Sequence, residues 1–335
     1  MAVSVFVVGF GNVGREAVIQ VAGRAGELGV RLAGAASSRG AVVVESARDL
    51  EGLVGLARRG LRLEGHPAFR EGLGAVEAAL EAGAEVALVA IPPSYESGEP
   101  NRGIYYGLID SGVGVVTADK TLLALEYREL VSRARARGVC LGYRATVAAG
   151  TPAVDAARGL RMRGVERVRA VLNATSNYIL GLVEEGLSYG EAVERAIEAR
   201  LAEPDPRVDT HGWDAAAKLA ILSNTLGYSL SLGDVERIPL EEIGEDEVRG
   251  ARARGLRVKQ VAEADYARGV YRVAPALLGA GDPLAAAEGE GNVIVFELEG
   301  SRVVLAGPAG PAWRTARVMV TDLAECLESR GASRV

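Results

Sequence analysis

Three lysines stand out among the 38 lysine and arginine side chains of this 335-residue sequence: Lys120, Lys218 and Lys259. Where almost every other basic position is arginine, a retained lysine indicates a position at which arginine fails. Arginine keeps its proton, whereas a partly desolvated ammonium can release one. Lys120 ends VVTADK and Lys218 lies within DAAAKLAIL, two motif-like stretches, so we predict that both are site residues. Lys259, in the arginine-rich ARARGLRVKQ, is expected at the surface.

Carboxylates crowd the sequence around Lys218. The stretch LAEPDPRVDTHGWDAAAKLAIL contains Glu203, Asp205, Asp209 and Asp214. Asp209 or Thr210 can cap a helix that begins near Gly212. On that helix Asp214 and Lys218 are four residues apart and share a face. An exposed pair of this kind contributes roughly a few tenths of a kcal/mol. Alanines and leucines surround this pair, so we predict that it is buried, where a Lys-Asp pair is more often functional.

A glycine turn lies near the start of the chain. Gly9, Gly11 and Gly14 form G-x-G-x-x-G directly after the apolar run at 4–8 and before the helical spacing of 15–27. Such glycines allow a tight turn and let a pyrophosphate approach the helix N-terminus, where N–H groups and the helix dipole favour negative charge. The turn predicts dinucleotide binding by Gly9, Phe10, Gly11, Asn12, Val13 and Gly14.

The ends of the next strands indicate which dinucleotide binds. An NAD-specific protein normally places an acidic residue after the second strand, where it binds the ribose hydroxyls. Here that strand ends in AASSRG, and Ser38 and Arg39 suit a 2′-phosphate instead. We therefore predict NADP as the preferred cofactor, with NAD as an alternative. Ile91 and Pro92, where the third strand ends, are expected to border the cofactor.

The spacing of apolar residues predicts two domains. Strand and helix patterns alternate through the N-terminal third, with strands at 4–8, 30–36, 85–91 and 114–117. This alternation is typical of βαβ units and a parallel sheet. We predict an α/β fold with a Rossmann-type, doubly wound nucleotide-binding domain over 1–135. Beyond residue 165 strands are segregated from long helices, which predicts an α+β second domain over 136–311. The helix within 312–335 is expected to return to the first domain.

Composition narrows the class of protein. The apolar fraction is 49%, the charged fraction 24% and the formal net charge −6, which indicates a soluble globular protein and gives no electrostatic case for nucleic acid. Every apolar run is shorter than the roughly 18 residues of a membrane span. The N-terminus is predicted to form a strand rather than a signal peptide, so we expect a cytoplasmic protein. Cys140 and Cys326 are expected to be separate core thiols.

The amino-acid composition also bears on the growth temperature of the source organism. Arginine, glutamate and alanine are abundant, while glutamine, asparagine, methionine and cysteine are scarce. This bias is typical of thermophiles, although a GC-rich genome produces the same pattern.

Six blocks of this sequence, in the same order, resemble the homoserine dehydrogenase family. They are GFGNVG at 9–14, GVGVVTADK at 112–120, RATVAAGTP at 144–152, LNATSNYIL at 172–180, AEPDPRVDTHGWDAAAKLAIL at 202–222 and GPAGPAWRTARVMVTDL at 307–323. The resemblance implies NAD(P)H-dependent reduction of L-aspartate β-semialdehyde to L-homoserine, and the reverse oxidation, in threonine, methionine and isoleucine biosynthesis. It also implies a homodimer formed through the second, catalytic domain. The sequence ends soon after the last block, so we expect no ACT domain and no threonine feedback through one.

Matching the blocks residue by residue implies roles for individual side chains. Lys218 matches the family's proton donor, Asp214 its helix-borne partner, and Lys120 a second lysine facing nicotinamide and substrate. A donor is needed because carbonyl reduction develops an alkoxide. Glu203 matches the carboxylate that binds the substrate's ammonium. The predicted substrate-binding set is Glu203, Asp209, Asp214, Thr175 and Lys218.

The segment NATSN offers two interpretations that the sequence leaves open. Asn173, Thr175, Ser176 and Asn177 lie between a strand and a helix, so they can either contact polar atoms of the substrate or cap the helix through an Asx or ST turn.

The sequence departs from the family pattern at several positions. Arg144 stands where the family has a glutamate that supplies a monovalent cation site; a positive side chain there repels sodium, so we predict no metal. Val208 replaces an aspartate and Asp119 an asparagine, and GPAGPAW contains an alanine where glycine is usual.

Two alternatives remain beside the predicted activity. Another two-domain NAD(P) oxidoreductase acting on a small amino-acid-derived carbonyl would use the same Lys-Asp pair, and only a substrate panel distinguishes it. A catalytically impaired NADP-binding homologue would explain the departures, but the retained Lys120 and Lys218 argue against it.

Overall fold

Residues 2–199, 201–202 and 205–332 are described in the computed structural model of this chain, which divides into two units. The first unit contains the residues up to Leu122, Glu126–Ala149 and the segment from Gly310 onward. The second contains Leu123–Leu125 and Gly150–Ala309. Each unit is built on its own sheet, one of seven strands and one of six, and the predicted α/β fold class is confirmed.

The first sheet grows from short β-branched runs such as VSVFVV. Its strands are β1 (Val3–Val8), β2 (Val30–Ser37), β3 (Gly40–Val43), β4 (Arg70–Glu71), β5 (Val86–Val89), β6 (Gly114–Thr117) and β7 (Leu141–Gly142). Their order is β4-β3-β2-β1-β5-β6-β7. The five strands from β2 to β7 in this order are parallel, and β3 and β4 extend them antiparallel. Strand order reverses between β1 and β5, so a ligand crevice is expected at their carboxyl ends.

The described helices up to residue 136 are α1 (Asn12–Gly23), α2 (Ala25–Leu28), α3 (Ala47–Arg58), α4 (Ala75–Glu81), α5 (Asn101–Asp110), α6 (Thr121–Leu125) and α7 (Tyr127–Ala136). The division between the two units falls within α6, and the other six helices belong to the first unit. Val18 and Val21 of α1 and Leu53 of α3 pack with Val5 and Val7 of β1 in one core. The region 37–80 has no clean periodicity in sequence, yet it forms β3, α3, β4 and α4. These elements are short, and their many glycines obscure the pattern.

The second sheet is mostly antiparallel. Its strands are β8 (Val165–Val171), β9 (Glu236–Arg237), β10 (Leu256–Asp265), β11 (Val270–Gly279), β12 (Gly291–Leu298) and β13 (Ser301–Pro308). They are ordered β13-β12-β8-β10-β11-β9, and only the short β9–β11 pairing is parallel.

The described part of this unit contains α8 (Ala153–Leu160), α9 (Ala174–Glu184), α10 (Tyr189–Glu198), α11 (Arg207–Thr210), α12 (Trp213–Leu226) and α13 (Glu245–Ala253). Glycines in the left-handed conformation flank α12, Gly212 at φ 77° and Gly227 at φ 106°. A Cβ atom on Gly212 would also lie 2.8 Å from Cγ1 of Val273. Gly212 therefore fixes where α12 begins.

The last helix, α14 (Ala312–Ala332), belongs to the first unit and packs against α1. Its residues Met319 and Leu323 are fully buried in the core around β1. Within the described ranges, no helix combines the length and the apolar character that a bilayer span needs.

The prediction of separate core thiols is wrong. Cys140, just before β7, and Cys326 of α14 form a disulfide with their Cα atoms 5.5 Å apart, although 186 residues separate them in sequence. Sequence separation does not measure distance once α14 returns to the sheet. The bond ties the last helix to the edge of the first unit's sheet.

Candidate functional site

The glycine turn between β1 and α1 has the geometry that close phosphate approach requires. Gly9 has φ 98°, and a Cβ atom there would lie 2.2 Å from the Ala90 carbonyl oxygen. A Cβ atom on Gly14 would lie 1.8 Å from the Gly9 carbonyl oxygen. Around Gly11, by contrast, a Cβ atom would meet no protein atom within 4 Å. The first and third glycines allow tight packing, and the second leaves room in front of the α1 N-terminus.

A cavity of about 810 Å³ opens in front of this turn. Of the predicted cofactor residues, Gly9, Phe10, Gly11, Asn12, Val13, Ser38, Arg39, Ile91 and Pro92 line it. Gly14 lies behind the turn, and Lys120 lies outside the lining. Arg62 and Glu64, from the region without periodicity, also line the cavity, and no pattern in the sequence indicates them. The cavity therefore fits a dinucleotide in shape and in backbone chemistry.

Arg39 is one of the two arginines that line this cavity. Its Nη1 lies 3.3 Å from Oε1 of Glu64, and 61% of the arginine side chain is exposed. An ion pair this exposed is worth at most about 1 kcal/mol. Arg39 can therefore exchange Glu64 for a phosphate.

The end of β6 holds a buried carboxylate, Asp119. Its Oδ2 accepts from Asn101 Nδ2 at 3.0 Å, and its Oδ1 accepts from Thr121 N and Oγ1 at 3.1 and 2.8 Å. Burial raises the pKa of Asp119, against the effect of these hydrogen bonds and of the Lys120 charge. Lys120 follows directly, half-buried at the start of α6. Asn101 also donates to the Pro92 carbonyl, so the network connects Asp119 to the cavity lining.

The predicted Lys-Asp pair forms on α12. Lys218 Nζ lies 2.6 Å from Asp214 Oδ2, and each side chain is 14% exposed. The same ammonium donates to the Leu172 carbonyl oxygen at 2.7 Å. Two acceptors thus direct two of its three N–H groups, which gives the third a defined direction.

Asn173 joins this pair to a second carboxylate. Its Nδ2 donates to Asp209 Oδ1 at 2.6 Å and to Asp214 Oδ2 at 3.0 Å. Its Oδ1 accepts from Ser176 N at 2.8 Å and so caps α9. Burial raises the pKa of Asp209, and so does the negative charge of Asp214. The hydrogen bond from Asn173 and the positive charge of Lys218 act in the opposite direction. The cap interpretation of the NATSN segment is confirmed for Asn173, which also joins the two carboxylates.

The remaining predictions for the second unit concern Thr175, the cap of α12 and Glu203. Thr175 is buried beside Asp209 and donates to the Leu201 carbonyl at 2.7 Å. The expected cap is wrong, because Gly212 precedes α12 and no side chain caps it. Glu203 lies outside the residues that the structure describes. The structure therefore brings Asp209, Asp214, Lys218 and Thr175 together in the second unit, while Lys120 belongs to the first.

Arg144 forms ion pairs within the first unit. Its guanidinium contacts Asp322 and Glu325 of α14, and its backbone N–H donates to Asp322 Oδ2 at 2.8 Å. The positive charge that the sequence places here thus has two carboxylates to balance it. In the described part of the chain, no group of three or more His, Cys, Asp or Glu is placed to hold a metal ion.

The prediction that Lys259 lies at the surface is wrong. It is only 6% exposed within β10, and its Nζ donates to Asn177 Oδ1 at 2.6 Å. Burial lowers its pKa, against the charge of Glu184. The neighbouring arginines hid this position, because they suggest a solvated segment.

Comparisons with known proteins agree with this geometry. The profile of the homoserine dehydrogenase family matches residues 152–324. The chain is 36% identical over 220 residues to a homoserine dehydrogenase of Sulfurisphaera tokodaii, covering 65% of this chain and 69% of the relative. It is 30% identical over 297 residues to one of Methanocaldococcus jannaschii, covering 87% of each. A hyperthermophilic archaeal homoserine dehydrogenase mutant in complex with NADPH superimposes with a TM-score of 0.81, at 26% identity and over 97% of this chain and 98% of that one. With these matches and the paired lysine and aspartate of α12, the chain belongs to the homoserine dehydrogenase family.

Proposed function

We propose that this protein interconverts L-aspartate β-semialdehyde and L-homoserine with NADP as preferred cofactor and NAD as an alternative. The observation that carries the proposal is the buried cluster in which Lys218, Asp214, Asn173 and Asp209 meet. Residues 1–135 are assigned to nucleotide binding and residues 136–311 to catalysis and dimerisation.

Lys218 is the proposed proton donor. When the semialdehyde carbonyl is reduced, its oxygen gains negative charge and needs a proton, which the ammonium supplies. In the reverse direction the amine takes the proton of the homoserine hydroxyl. Asp214 and the Leu172 carbonyl hold the ammonium from two sides, which leaves its third N–H to donate to the reacting oxygen. The nicotinamide, when bound, supplies or accepts the hydride.

The carboxylates are assigned to the substrate's ammonium. Asp209 is held 2.6 Å from Asn173, and Glu203 is assigned the same role from its sequence block. A substrate ammonium would offset the like charges of Asp209 and Asp214, since opposite charges favour the ionised form of a carboxyl. Thr175 is assigned to this binding set because it is buried beside Asp209.

Cofactor binding is assigned to the glycine turn and its surroundings. The α1 N-terminus and Gly11 are assigned to the pyrophosphate, and Ser38 and Arg39 to the 2′-phosphate, because the space in front of Gly11 and the cavity lining support these roles. The similar archaeal enzyme that carries NADPH supports this preference. Lys120 is assigned to the nicotinamide side by its sequence block.

We also assign a cytoplasmic location, a homodimer, and a thermophilic source. Disulfides are rare in cytosolic proteins except in hyperthermophiles, whose intracellular proteins are rich in them. The Cys140–Cys326 bond and the arginine-rich composition therefore support the same source. The pathway assignment, to threonine and methionine biosynthesis, rests on the family alone.

The test is to follow formation of reduced nicotinamide by the purified protein with L-homoserine and either NADP or NAD. We expect homoserine-dependent turnover that is lost in Lys218→Ala and kept in Arg254→Ala, which removes an exposed cation from the same unit. L-Serine, L-threonine and L-malate serve as alternative substrates. Turnover with one of these but not with homoserine would identify a different oxidoreductase, and cofactor binding without any turnover would identify an impaired homologue.

A further inference from the structure

Lys259 is a buried ammonium whose role the proposed reaction does not explain. It lies in the middle of β10, 6% exposed, on a strand whose residues 258–265 are all buried. Taking an ammonium out of water is costly unless it makes good hydrogen bonds. An apolar side chain of similar length would fill the same volume without this cost. The contacts of the Lys259 ammonium should therefore explain why a lysine occupies this buried position.

Its contact is the side-chain amide of Asn177 on α9. Lys259 Nζ donates to Asn177 Oδ1 at 2.6 Å. The Asn177 Nδ2 donates to the carbonyl oxygens of Gly289 and Ala287 at 2.7 and 3.3 Å. The amide is thus held at both ends, and its orientation is fixed. A guanidinium would bring five N–H donors to this single amide oxygen, which explains why arginine is unsuitable here.

Asn177 lies one helical turn after Asn173. The Asn177 N–H donates to the Asn173 carbonyl at 3.2 Å, so fixing one residue fixes the other. Asn173 contacts both Asp209 and Asp214, and the preceding Leu172 carbonyl accepts from Lys218. The two residues just before α9, Leu172 and its cap Asn173, therefore carry two of the groups that orient the proton donor and its partner.

Gln260, the next residue of β10, anchors the other segment of the cluster. Its Nε2 donates to the Asp209 carbonyl oxygen at 3.1 Å. Adjacent residues of one strand thus hold α9 through Asn177 and the end of α11 through Asp209. Strands are stiffer supports than loops, and a site held to about 0.5 Å depends on such supports.

We propose that Lys259 is a positioning residue, which holds the first turn of α9 and so sets the orientation of the Lys218 ammonium. The proposal deepens the proposed function, because it rests on Lys218 as the proton donor. Lys259 touches neither reacting atoms nor cofactor in this role, and acts through Asn177.

The three lysines allow a direct test that needs no turnover. Protein labelled with ¹³C at the lysine ε-carbon gives three signals, assigned with Lys120→Arg and Lys218→Arg. In Lys259→Met we expect the Lys218 signal to move from its wild-type position. Val261→Ala is the matched control, because it removes buried apolar contacts from the same strand face, in a hydrophobic cluster that contains no residue of α9. A Lys218 signal that stays at its wild-type position in Lys259→Met overturns the proposal.

Kinetics provide the second readout. Displacing a catalytic group by about 1 Å can cost on the order of a hundredfold in rate, so we expect Lys259→Met to lower kcat by about tenfold to a hundredfold, with the KM for NADP unchanged. Asn177→Ala should do the same, and the double variant should lose no more than the worse single variant. Additive losses, or a loss equal to that of Val261→Ala, contradict the proposal. A wild-type protein that does not oxidise homoserine, but whose Lys218 signal shifts in Lys259→Met, refutes the proposed function alone.

Discussion

The Asp214 carboxylate and the Lys218 ammonium lie 2.6 Å apart on one face of α12, with 14% of each side chain exposed. Because water has little access to the pair, removing one partner leaves the other charge poorly compensated. A substitution that keeps the shape of the Asp214 side chain but removes its charge should therefore disturb the Lys218 ammonium.

We expect Asp214→Asn to lower kcat for homoserine oxidation by roughly a hundredfold or more, because a positioned proton donor contributes about 10²–10⁴. The KM for NADP should not change. Steady-state kinetics check this, with Asp246→Asn, a fully exposed carboxylate of α13, as the control. A wild-type kcat in Asp214→Asn would remove this residue from the mechanism.

Arg39→Ala tests the assignment of the 2′-phosphate. A hydrogen bond to a charged group contributes about 1.5–3 kcal/mol, so the KM for NADP should rise by about tenfold to a hundredfold. The KM for NAD, which lacks this phosphate, should stay at its wild-type value. Arg59→Ala removes an exposed arginine just after α3 as the control. If both cofactors lose equally, Arg39 does not select between them.

Asp119→Asn tests the cost of a buried carboxylate. Burial raises the pKa of Asp119 above its usual 3.8, so the folded protein binds this proton more readily than the unfolded chain. The stability from this group is fully present below the unfolded pKa and is lost as pH rises through the folded pKa. Asparagine does not titrate. The difference in Tm, variant minus wild type, should therefore become more positive as the pH rises above roughly 4.

Thermal unfolding across this pH range measures that slope for Asp119→Asn. The absolute difference at one pH also reflects Asn101, whose amide would face a second amide in the variant. The slope does not share this ambiguity. Asp246→Asn should give a flat difference, and a flat difference for Asp119→Asn as well would mean that its carboxyl titrates normally in the fold.

Arg144→Leu tests what the arginine does in place of the family's glutamate. Asp322 is 1% exposed and Arg144 13%, and breaking a buried pair from one side costs about 3–5 kcal/mol. At about 2–4 °C per kcal/mol, the Tm should fall by roughly 6–20 °C. Arg144→Leu combined with Asp322→Leu should recover part of this loss, because it also removes the buried Asp322 carboxylate that the single variant deprives of its ion pair.

The exposed pair of Arg207 and Asp205 provides the comparison for Arg144. These side chains are 70% and 58% exposed, so Arg207→Leu should change stability by no more than about 0.5 kcal/mol. An Arg144→Leu variant with the same small effect would show that this arginine does not hold α14.

Local patterns predicted much of the site. The glycine turn and the spacing of Asp214 and Lys218 depend only on neighbours in sequence, and both have the expected geometry. Lys259 was misjudged because both faces of β10 are covered by other elements, which no alternation of polar residues reveals. The Asp209 cap failed for a different reason, since Gly212 in the left-handed conformation redirects the chain before α12.

Long-range partners were beyond the sequence. The Cys140–Cys326 bond and the Arg144–Asp322 pair each join residues more than a hundred positions apart. Both depend on where α14 packs, and the amphipathic pattern of that helix identifies its buried face but not the surface that covers it. Arg62 and Glu64 were missed for a similar reason, because the cavity they line is assembled from several loops.

The return of α14 also sets an order of assembly during synthesis. The ribosome makes β1 before the second unit, yet the core around β1 includes Met319 and Leu323, which it makes after the second unit. The core of the first unit therefore stays incomplete, with part of its apolar surface exposed, until the second unit has been translated. The second unit has residues only between Leu123 and Ala309, so its translation is complete before that of the first unit. The unit whose translation begins first can thus complete its core only after the other unit has been made.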